Sequence, residues 1–162
     1  MQGNVQEFIT HSAQETQALG REVARKVLAL RYPGAAVVAL YGDLGGGKTT
    51  FTQGFAQGLG VEEPVRSPTF LIMKVFQLSE AGAYTKLIHI DAYRLATSEE
   101  MKHLGWDDMA ESNNSIILIE WADKIADLLP ENCIELRFEF IDENTRRIRI
   151  QNLESRISNL EK

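Results

Sequence analysis

The residues with the clearest chemical meaning form one glycine-rich run, from Gly42 to Thr49. Its letters, GDLGGGKT, fit the pattern G-x-x-x-x-G-K-[ST], whose backbone N–H groups surround the phosphates of a nucleotide. In this pattern Lys48 places its ammonium on the β- and γ-phosphates, and the Thr49 hydroxyl ligates Mg²⁺. We therefore predict a binding site for a nucleoside triphosphate and Mg²⁺, formed by Asp43, Leu44, Gly45, Gly46, Gly47, Lys48, Thr49 and Thr50.

Two acidic residues, each at the end of an apolar run, are candidates to complete this site. Glu120 follows Ile116-Ile117-Leu118-Ile119, and Asp91 follows Leu87-Ile88-His89-Ile90. Hydrolysis of a γ-phosphate needs an acid near the metal or near the attacking water. Taken singly, either acid could equally end a strand and cap the next turn. Together with the glycine-rich loop, they predict catalytic roles for Lys48, Asp91 and Glu120, and metal ligation by Thr49 and Glu120.

Other polar groups have both a structural and a functional interpretation. Ser67 and Thr69 flank a proline that keeps Ser67 out of the helical region, so they lie in an extended loop with two hydroxyls. Spacing alone slightly favours an ordinary turn there. His89 lies in the middle of a strand, which is more typical of a hydrogen-bonded core histidine than of a catalyst. A solvated hairpin face is favoured over a partner-docking site for three arginines: Arg146, Arg147 and Arg149.

Periodicity along the chain predicts a three-layer α/β domain of the P-loop NTPase type, with a mixed, mainly parallel central sheet flanked by helices. Capping-box letters at Ser12 and Glu15 begin a helix from about residue 13 to 31. In the helix after the glycine-rich loop, Gly54 and Gly58 predict close packing. The remaining predicted elements are strands at Val5–Thr10, Val37–Tyr41, 70–78, Lys86–Asp91, Ile116–Ile119, Ile134–Ile141 and Arg146–Ile150, helical segments at Ser98–Gly105 and Ala122–Leu129, and a frayed helix within residues 151–162.

Length and composition predict a single domain, residues 1–162, with an ordinary globular core. The formal net charge of -6 argues against gripping bulk nucleic acid through its phosphates. One cysteine, Cys133, cannot form an internal disulfide and is predicted to be a packed thiol. The sequence shows neither a signal peptide nor an apolar stretch long enough for a bilayer. We expect a soluble, cytoplasmic protein.

Taken in order, these segments resemble one family, the TsaE (YjeE) ATPases of bacterial tRNA threonylcarbamoyladenosine synthesis. The resemblance depends on four segments: Tyr41–Thr50, Ser67–Phe70, His89–Leu95 and Ile119–Trp121. Each motif alone is common, whereas their combination is specific.

The resemblance implies a P-loop ATPase that binds ATP and Mg²⁺ and works with the carbamoyltransferase TsaD and its partner TsaB. It would support multiple turnovers of the modification of ANN-decoding tRNAs, meeting tRNA only indirectly through the complex. It also implies that Ser67 and Thr69 belong to a nucleotide-sensing loop, that Asp91 is the essential acid of a His-x-Asp-x-Tyr-Arg motif, and that Glu120 lies near the metal. Which carboxylate orients the attacking water stays open.

Two alternatives remain beside this interpretation. A small-molecule kinase uses the same loop, although the chain has little length for an arginine-bearing lid. A nucleotide-gated assembly module would bind ATP to order residues 67–70 for a partner and would seldom cleave it. A GTPase is disfavoured because the sequence has no [NT]-K-x-D motif.

Overall fold

The computed structural model of the protein describes residues 5–42, 45–66, 72–79 and 81–153. The strands are β1 (Val5–Thr10), β2 (Ala36–Gly42), β3 (Met73–Gln77), β4 (Lys86–Asp91), β5 (Ser115–Glu120), β6 (Ile134–Phe140) and β7 (Arg146–Gln151). The α-helices are α1 (Ala13–Leu28), α2 (Lys48–Gly58), α3 (Ser98–His103) and α4 (Trp106–Glu111), and a 3₁₀ helix spans Ala122–Leu128.

These strands form one seven-stranded sheet in the order β1-β7-β6-β2-β5-β4-β3. The four central strands run parallel, through the pairs β6–β2, β2–β5 and β5–β4. The outer pairs β1–β7, β7–β6 and β4–β3 are antiparallel. The predicted mixed sheet is confirmed, with the parallel strands at its centre. Because parallel strands end at the same edge, the carboxyl ends of β2, β4 and β5 meet there, and ligands of open α/β sheets bind at such an edge.

Helices cover both faces of the sheet, which confirms the three-layer arrangement. On one face, buried residues of α1 and α2 form a single apolar cluster with alternate residues of the central strands, such as Leu40 and Leu118. On the other face, α3, α4 and the 3₁₀ helix pack on the intervening residues, such as Ala39 and Ile119. All of Ile116–Ile119 is fully buried, because this strand has helices on both sides.

The close packing predicted from Gly54 and Gly58 is the contact between α1 and α2. A side chain at Gly54 would overlap the backbone of Gln17, and one at Gly58 would meet Ala24 at 2.8 Å. Gly20 of α1 approaches the backbone of Phe51 and Phe55 in the same way. Glycines therefore let the two helices touch backbone to backbone, and this contact fixes α2 and the loop that precedes it.

The structure differs from the predicted elements in a few places. Helix α1 ends at Leu28 rather than near residue 31, and the segment after Ala122 is a 3₁₀ helix. Helix α4 was not predicted: Gly105, with φ 98°, ends the α3 region, and the chain turns into a second short helix at once. The predicted frayed helix after Leu153 lies outside the described residues. Within the described residues, no helix is both long and apolar enough to cross a bilayer.

Candidate active site

The glycine-rich loop connects the end of β2 to the start of α2. In the sheet, β2 lies between β6 and β5. Gly42, at φ 139°, lies against Phe138 of β6 so closely that a side chain would overlap its carbonyl oxygen. Gly47, at φ 100°, leads directly into α2. Both positions need glycine, as the pattern requires. The N–H groups of the first turn of α2 face the loop, and this helix end attracts anions.

Lys48 is the first residue of α2, and its side chain is almost fully buried, with 5% of the residue exposed. Its ammonium donates a hydrogen bond to the carbonyl oxygen of Gly42, so it folds back across the loop. The same ammonium lies 4.3 Å from the ring centroid of Trp121, a cation–π contact. The ammonium of Lys48 is thus held beside the loop. In the G-x-x-x-x-G-K-[ST] pattern, the lysine contacts a phosphate from this position.

Thr49 and Glu120 are joined directly. The Thr49 hydroxyl donates a hydrogen bond of 3.0 Å to Oε1 of Glu120. The other carboxylate oxygen of Glu120, Oε2, lies 2.7 Å from Nε2 of His89. Glu120 and His89 are both buried. The end of β5 therefore meets the first turn of α2.

Asp91 lies beside Glu120, because the two residues are paired across the parallel strands β4 and β5. Its Oδ1 accepts a hydrogen bond of 3.0 Å from the backbone N–H of Tyr93. Asp91 is half-buried, whereas Glu120 is buried. Side chains alternate along β4, since Leu87 packs in the α1–α2 cluster and Ile88 and Ile90 pack in the opposite cluster. Two carboxylates thus stand at adjacent positions on the sheet edge.

An aromatic pair borders these groups. The Trp121 and Tyr93 rings lie 5.0 Å apart between centroids. Trp121 has φ 59°, the left-handed conformation that non-glycine residues rarely adopt, and it begins the 3₁₀ helix. Tyr93 is 57% exposed. A strained backbone beside polar groups is common at functional sites, and here it turns the indole over Lys48.

The donors at this edge fit Mg²⁺. The Thr49 hydroxyl and the Glu120 carboxylate are hard oxygen ligands, 3.0 Å apart at the end of the loop. Among the described residues there is no cluster of three or more histidines, cysteines and acids that could enclose a metal. Mg²⁺ is usually held by one or two carboxylates together with substrate phosphates. The Thr49 hydroxyl and the Glu120 carboxylate suit a Mg²⁺ site of this kind, in which phosphates would supply further ligands.

Burial raises the pKa values of Tyr41 and Cys133, which lie on neighbouring strands or at their ends. Burial raises the pKa of Tyr41, the residue before the loop, to about 12, with a smaller contribution from the negative charge of Glu135. Burial likewise raises the pKa of the Cys133 thiol to about 12. Cys133 therefore stays protonated at neutral pH and is a packed thiol rather than a nucleophile, as the sequence indicated.

The structure brings together most of the predicted site residues, but some lie outside the described residues. Gly45, Gly46, Gly47, Lys48, Thr49 and Thr50 form the described part of the loop and the first turn of α2, and Asp91 and Glu120 lie at its edge. Asp43, Leu44, Ser67 and Thr69 fall outside the described residues. Sequence reasoning did not include His89 and Trp121 among the site residues. Both nevertheless lie in segments on which the family resemblance depends, His89–Leu95 and Ile119–Trp121, two positions before Asp91 and one after Glu120.

The arginine cluster lies on the far side of the loop from the acids. Arg147 forms ion pairs with Glu7 at 2.9 Å and with Glu139 at 3.0 Å, and Arg149 lies 3.6 Å from Glu7. Arg146 donates to the carbonyl oxygens of the β6–β7 turn. These pairs within the sheet favour the solvated-face interpretation over a basic docking site.

Comparison with known proteins decides the family. The family described as Threonylcarbamoyl adenosine biosynthesis protein TsaE matches residues 10–148, most of the chain. The chain belongs to the TsaE family. This confirms the resemblance on which the sequence interpretation depended.

TsaE relatives from distant bacteria match over most of their length. A protein of Haemophilus influenzae is 38% identical over 124 residues, which cover 76% of this chain and 75% of the relative. A protein of Bacillus subtilis is 37% identical over 139 residues, which cover 86% of this chain and 80% of the relative. Both are named tRNA threonylcarbamoyladenosine biosynthesis protein TsaE.

A solved structure shares the fold of this TsaE family member. The crystal structure of Bacillus subtilis YdiB superposes with a TM-score of 0.70 and 29% sequence identity, covering 100% of this chain and 99% of YdiB.

Proposed function

We propose that this protein is a P-loop ATPase of tRNA threonylcarbamoyladenosine biosynthesis, which hydrolyses ATP to ADP and phosphate and does so mainly when bound to TsaD and TsaB. The observation that carries this proposal is the direct hydrogen bond between the loop threonine, Thr49, and the strand-end acid, Glu120. It joins a phosphate-binding loop to an acidic group in one site. Membership of the TsaE family supports the biosynthetic role.

Binding of ATP would use the loop and Lys48 together. The N–H groups at the start of α2 would face the β- and γ-phosphates, as in the phosphate-binding pattern. To contact them, the ammonium of Lys48 would leave the Gly42 carbonyl and the Trp121 ring. Mg²⁺, held by Thr49 with Glu120, would neutralise the charge on the phosphate oxygens.

The two acids have different environments, and this suggests different roles. Both oxygens of Glu120 have partners, Thr49 on one side and His89 on the other, so its carboxylate is fixed at the metal side. Asp91 is half-buried at the same edge, closer to solvent. We therefore assign Asp91 to orienting the attacking water and Glu120 to the metal. Adjacent carboxylates repel each other, and a divalent cation between loop and sheet would offset that repulsion.

Calorimetric titration with MgATP tests the binding part of the proposal. Lys48→Ala should lose measurable binding, because the only side-chain cation within the described loop is removed. Lys102→Ala, at an exposed position of helix α3, removes an equal charge away from the site and should bind like the unsubstituted protein. Equal affinity of Lys48→Ala and Lys102→Ala would contradict the site.

Phosphate release in the presence of TsaD and TsaB tests the assignment of the acids. Asp91→Asn should bind MgATP nearly as well as the unsubstituted protein and hydrolyse it at least about 100-fold more slowly, the usual loss when a catalytic acid or base is removed. Normal hydrolysis by Asp91→Asn would show that another group orients the water. Appearance of the phosphoryl group on a hydroxyl acceptor would identify a kinase instead.

A further inference from the structure

His89 is a buried polar residue that phosphate binding does not require, yet it contacts the acid at the metal side of the site. We propose that His89 is a positioning residue: it holds Oε2 of Glu120 so that Oε1 stays directed at Thr49 and at Mg²⁺. The inference rests on the proposed ATP and Mg²⁺ site and adds a residue that determines how tightly the metal is held there.

The strand register puts the two side chains together. His89 lies on β4 opposite Leu118 of β5, and Glu120 is the next residue of β5 on the same face. Nε2 of His89 is 2.7 Å from Oε2 of Glu120, and the side chains are only 1% and 3% exposed. Water therefore has almost no access to this contact. The hydrogen bond of Oε2 is made with the imidazole.

The hydrogen-bond chemistry fixes the direction of the contact. A carboxylate that ligates Mg²⁺ is ionised and can only accept hydrogen bonds, so with the metal bound Nε2 of His89 would be the donor. The terminal torsion of a glutamate has a broad, roughly two-fold preference, so a single partner at Oε1 does not fix the carboxylate plane. Thr49 on one oxygen and His89 on the other hold both ends. Outer groups that orient a ligand in this way commonly change metal affinity.

The surroundings argue against a purely space-filling role. The residues of β4 and β5 nearest on this face, Leu87 and Leu118, are fully buried and apolar. An apolar residue at position 89 would suit these neighbours and would leave a buried carboxylate oxygen unpaired, which is costly. The imidazole is thus explained by its hydrogen bond to Glu120 rather than by packing in the core.

The test uses the Mg²⁺ concentration that half-maximally tightens ATP binding, measured by calorimetry without turnover. His89→Phe keeps the ring volume and removes the donor, and we expect it to raise this concentration about 10- to 100-fold. His89→Gln restores an N–H near the position of Nε2 and should recover most of the loss. Leu87→Val, on the same strand and face, perturbs packing alone and should leave the Mg²⁺ requirement unchanged. Should His89→Phe fail to fold, His89→Asn, whose amide is too short to reach Glu120, replaces it with the same expectation.

Two further measurements separate positioning from general destabilisation. Thermal unfolding of each variant shows whether the Mg²⁺ effect follows stability, and we expect His89→Phe to differ from Leu87→Val in Mg²⁺ requirement even at equal stability. In a Glu120→Gln background, His89→Phe should raise the Mg²⁺ requirement little further, because His89 acts on the metal by way of the Glu120 carboxylate, which this background lacks. An unchanged Mg²⁺ requirement in His89→Phe, or an undiminished effect in the Glu120→Gln background, overturns the inference. Absence of MgATP binding by the unsubstituted protein overturns the proposed function instead.

Discussion

The proposed chemistry depends on Lys48, whose ammonium is held in place by two contacts at the loop. The ammonium is shared between the Gly42 carbonyl and the face of Trp121. Trp121 in turn packs against Tyr93, two residues after Asp91. A movement of the Lys48 ammonium would therefore change the surroundings of the Trp121 indole, and Trp121 directly follows Glu120.

This contact makes tryptophan fluorescence a reporter of nucleotide binding. When Lys48 contacts phosphate, it leaves the Trp121 ring, and the emission of Trp121 should change on addition of MgATP. The chain has two tryptophans: Trp106 is buried inside the cluster of α3, α4 and the 3₁₀ helix, whereas Trp121 is partly buried at the border of that cluster, against Lys48. We expect Trp121→Phe to lose the change and Trp106→Phe to keep it, with binding of both variants checked by calorimetry. Loss of the change in Trp106→Phe alone would contradict the contact.

At this scale, sequence predicted the groups but not all of their contacts. Glu120 and Asp91 were identified because each ends an apolar run, which is a local property. His89 was expected to be a hydrogen-bonded core histidine, and it is buried with a hydrogen bond. Its partner could not be predicted, because the contact depends on β4 lying next to β5, and strand order is set by the packing of the whole sheet.

At the scale of elements, the contact between α1 and α2 determines where the loop stands. Helix α2 carries Lys48 and Thr49 in its first turn, and its glycines let it approach the backbone of α1. Any change that separates these helices would shift the loop relative to Glu120.

Substitution of Gly54 by alanine tests this packing. Helix propensity alone predicts a gain in stability of about 1 kcal/mol. The new methyl group would overlap the backbone of Gln17, and we expect instead a loss of about 3 kcal/mol in the free energy of unfolding. Gly60→Ala serves as the control: among the described residues, no atom beyond the adjoining residues lies within 4 Å of the added methyl group, so left-handed backbone strain of about 1–2 kcal/mol is the main cost. Urea unfolding measures both variants, and a stabilised Gly54→Ala would refute the contact.

The elements that were predicted well have strong local signals, and those that were missed lack them. The capping letters of Ser12 and Glu15 are confirmed, since the Ser12 hydroxyl accepts from the N–H of Glu15 at 3.1 Å. Helix α4 is only six residues long and follows Gly105 directly, so no periodic pattern could develop in the sequence.

At the scale of the molecule, the sheet order explains why the site lies where it does. β2 is flanked by β5 and β6, and the acids of β4 and β5 stand on one side of the loop, while the arginine hairpin β6–β7 stands on the other. The formal charge of -6 and the ion pairs of Arg147 argue against direct binding of bulk tRNA. Contact with tRNA through protein partners is consistent with both features.

The most direct measurement is the rate of phosphate release from ATP by this protein alone, with TsaD and TsaB, and with the same partners and Asp91→Asn. We predict slow release alone, a marked increase with TsaD and TsaB, and loss of that increase in Asp91→Asn. Equal rates with and without the partners, or an increase that Asp91→Asn retains in full, would contradict the account.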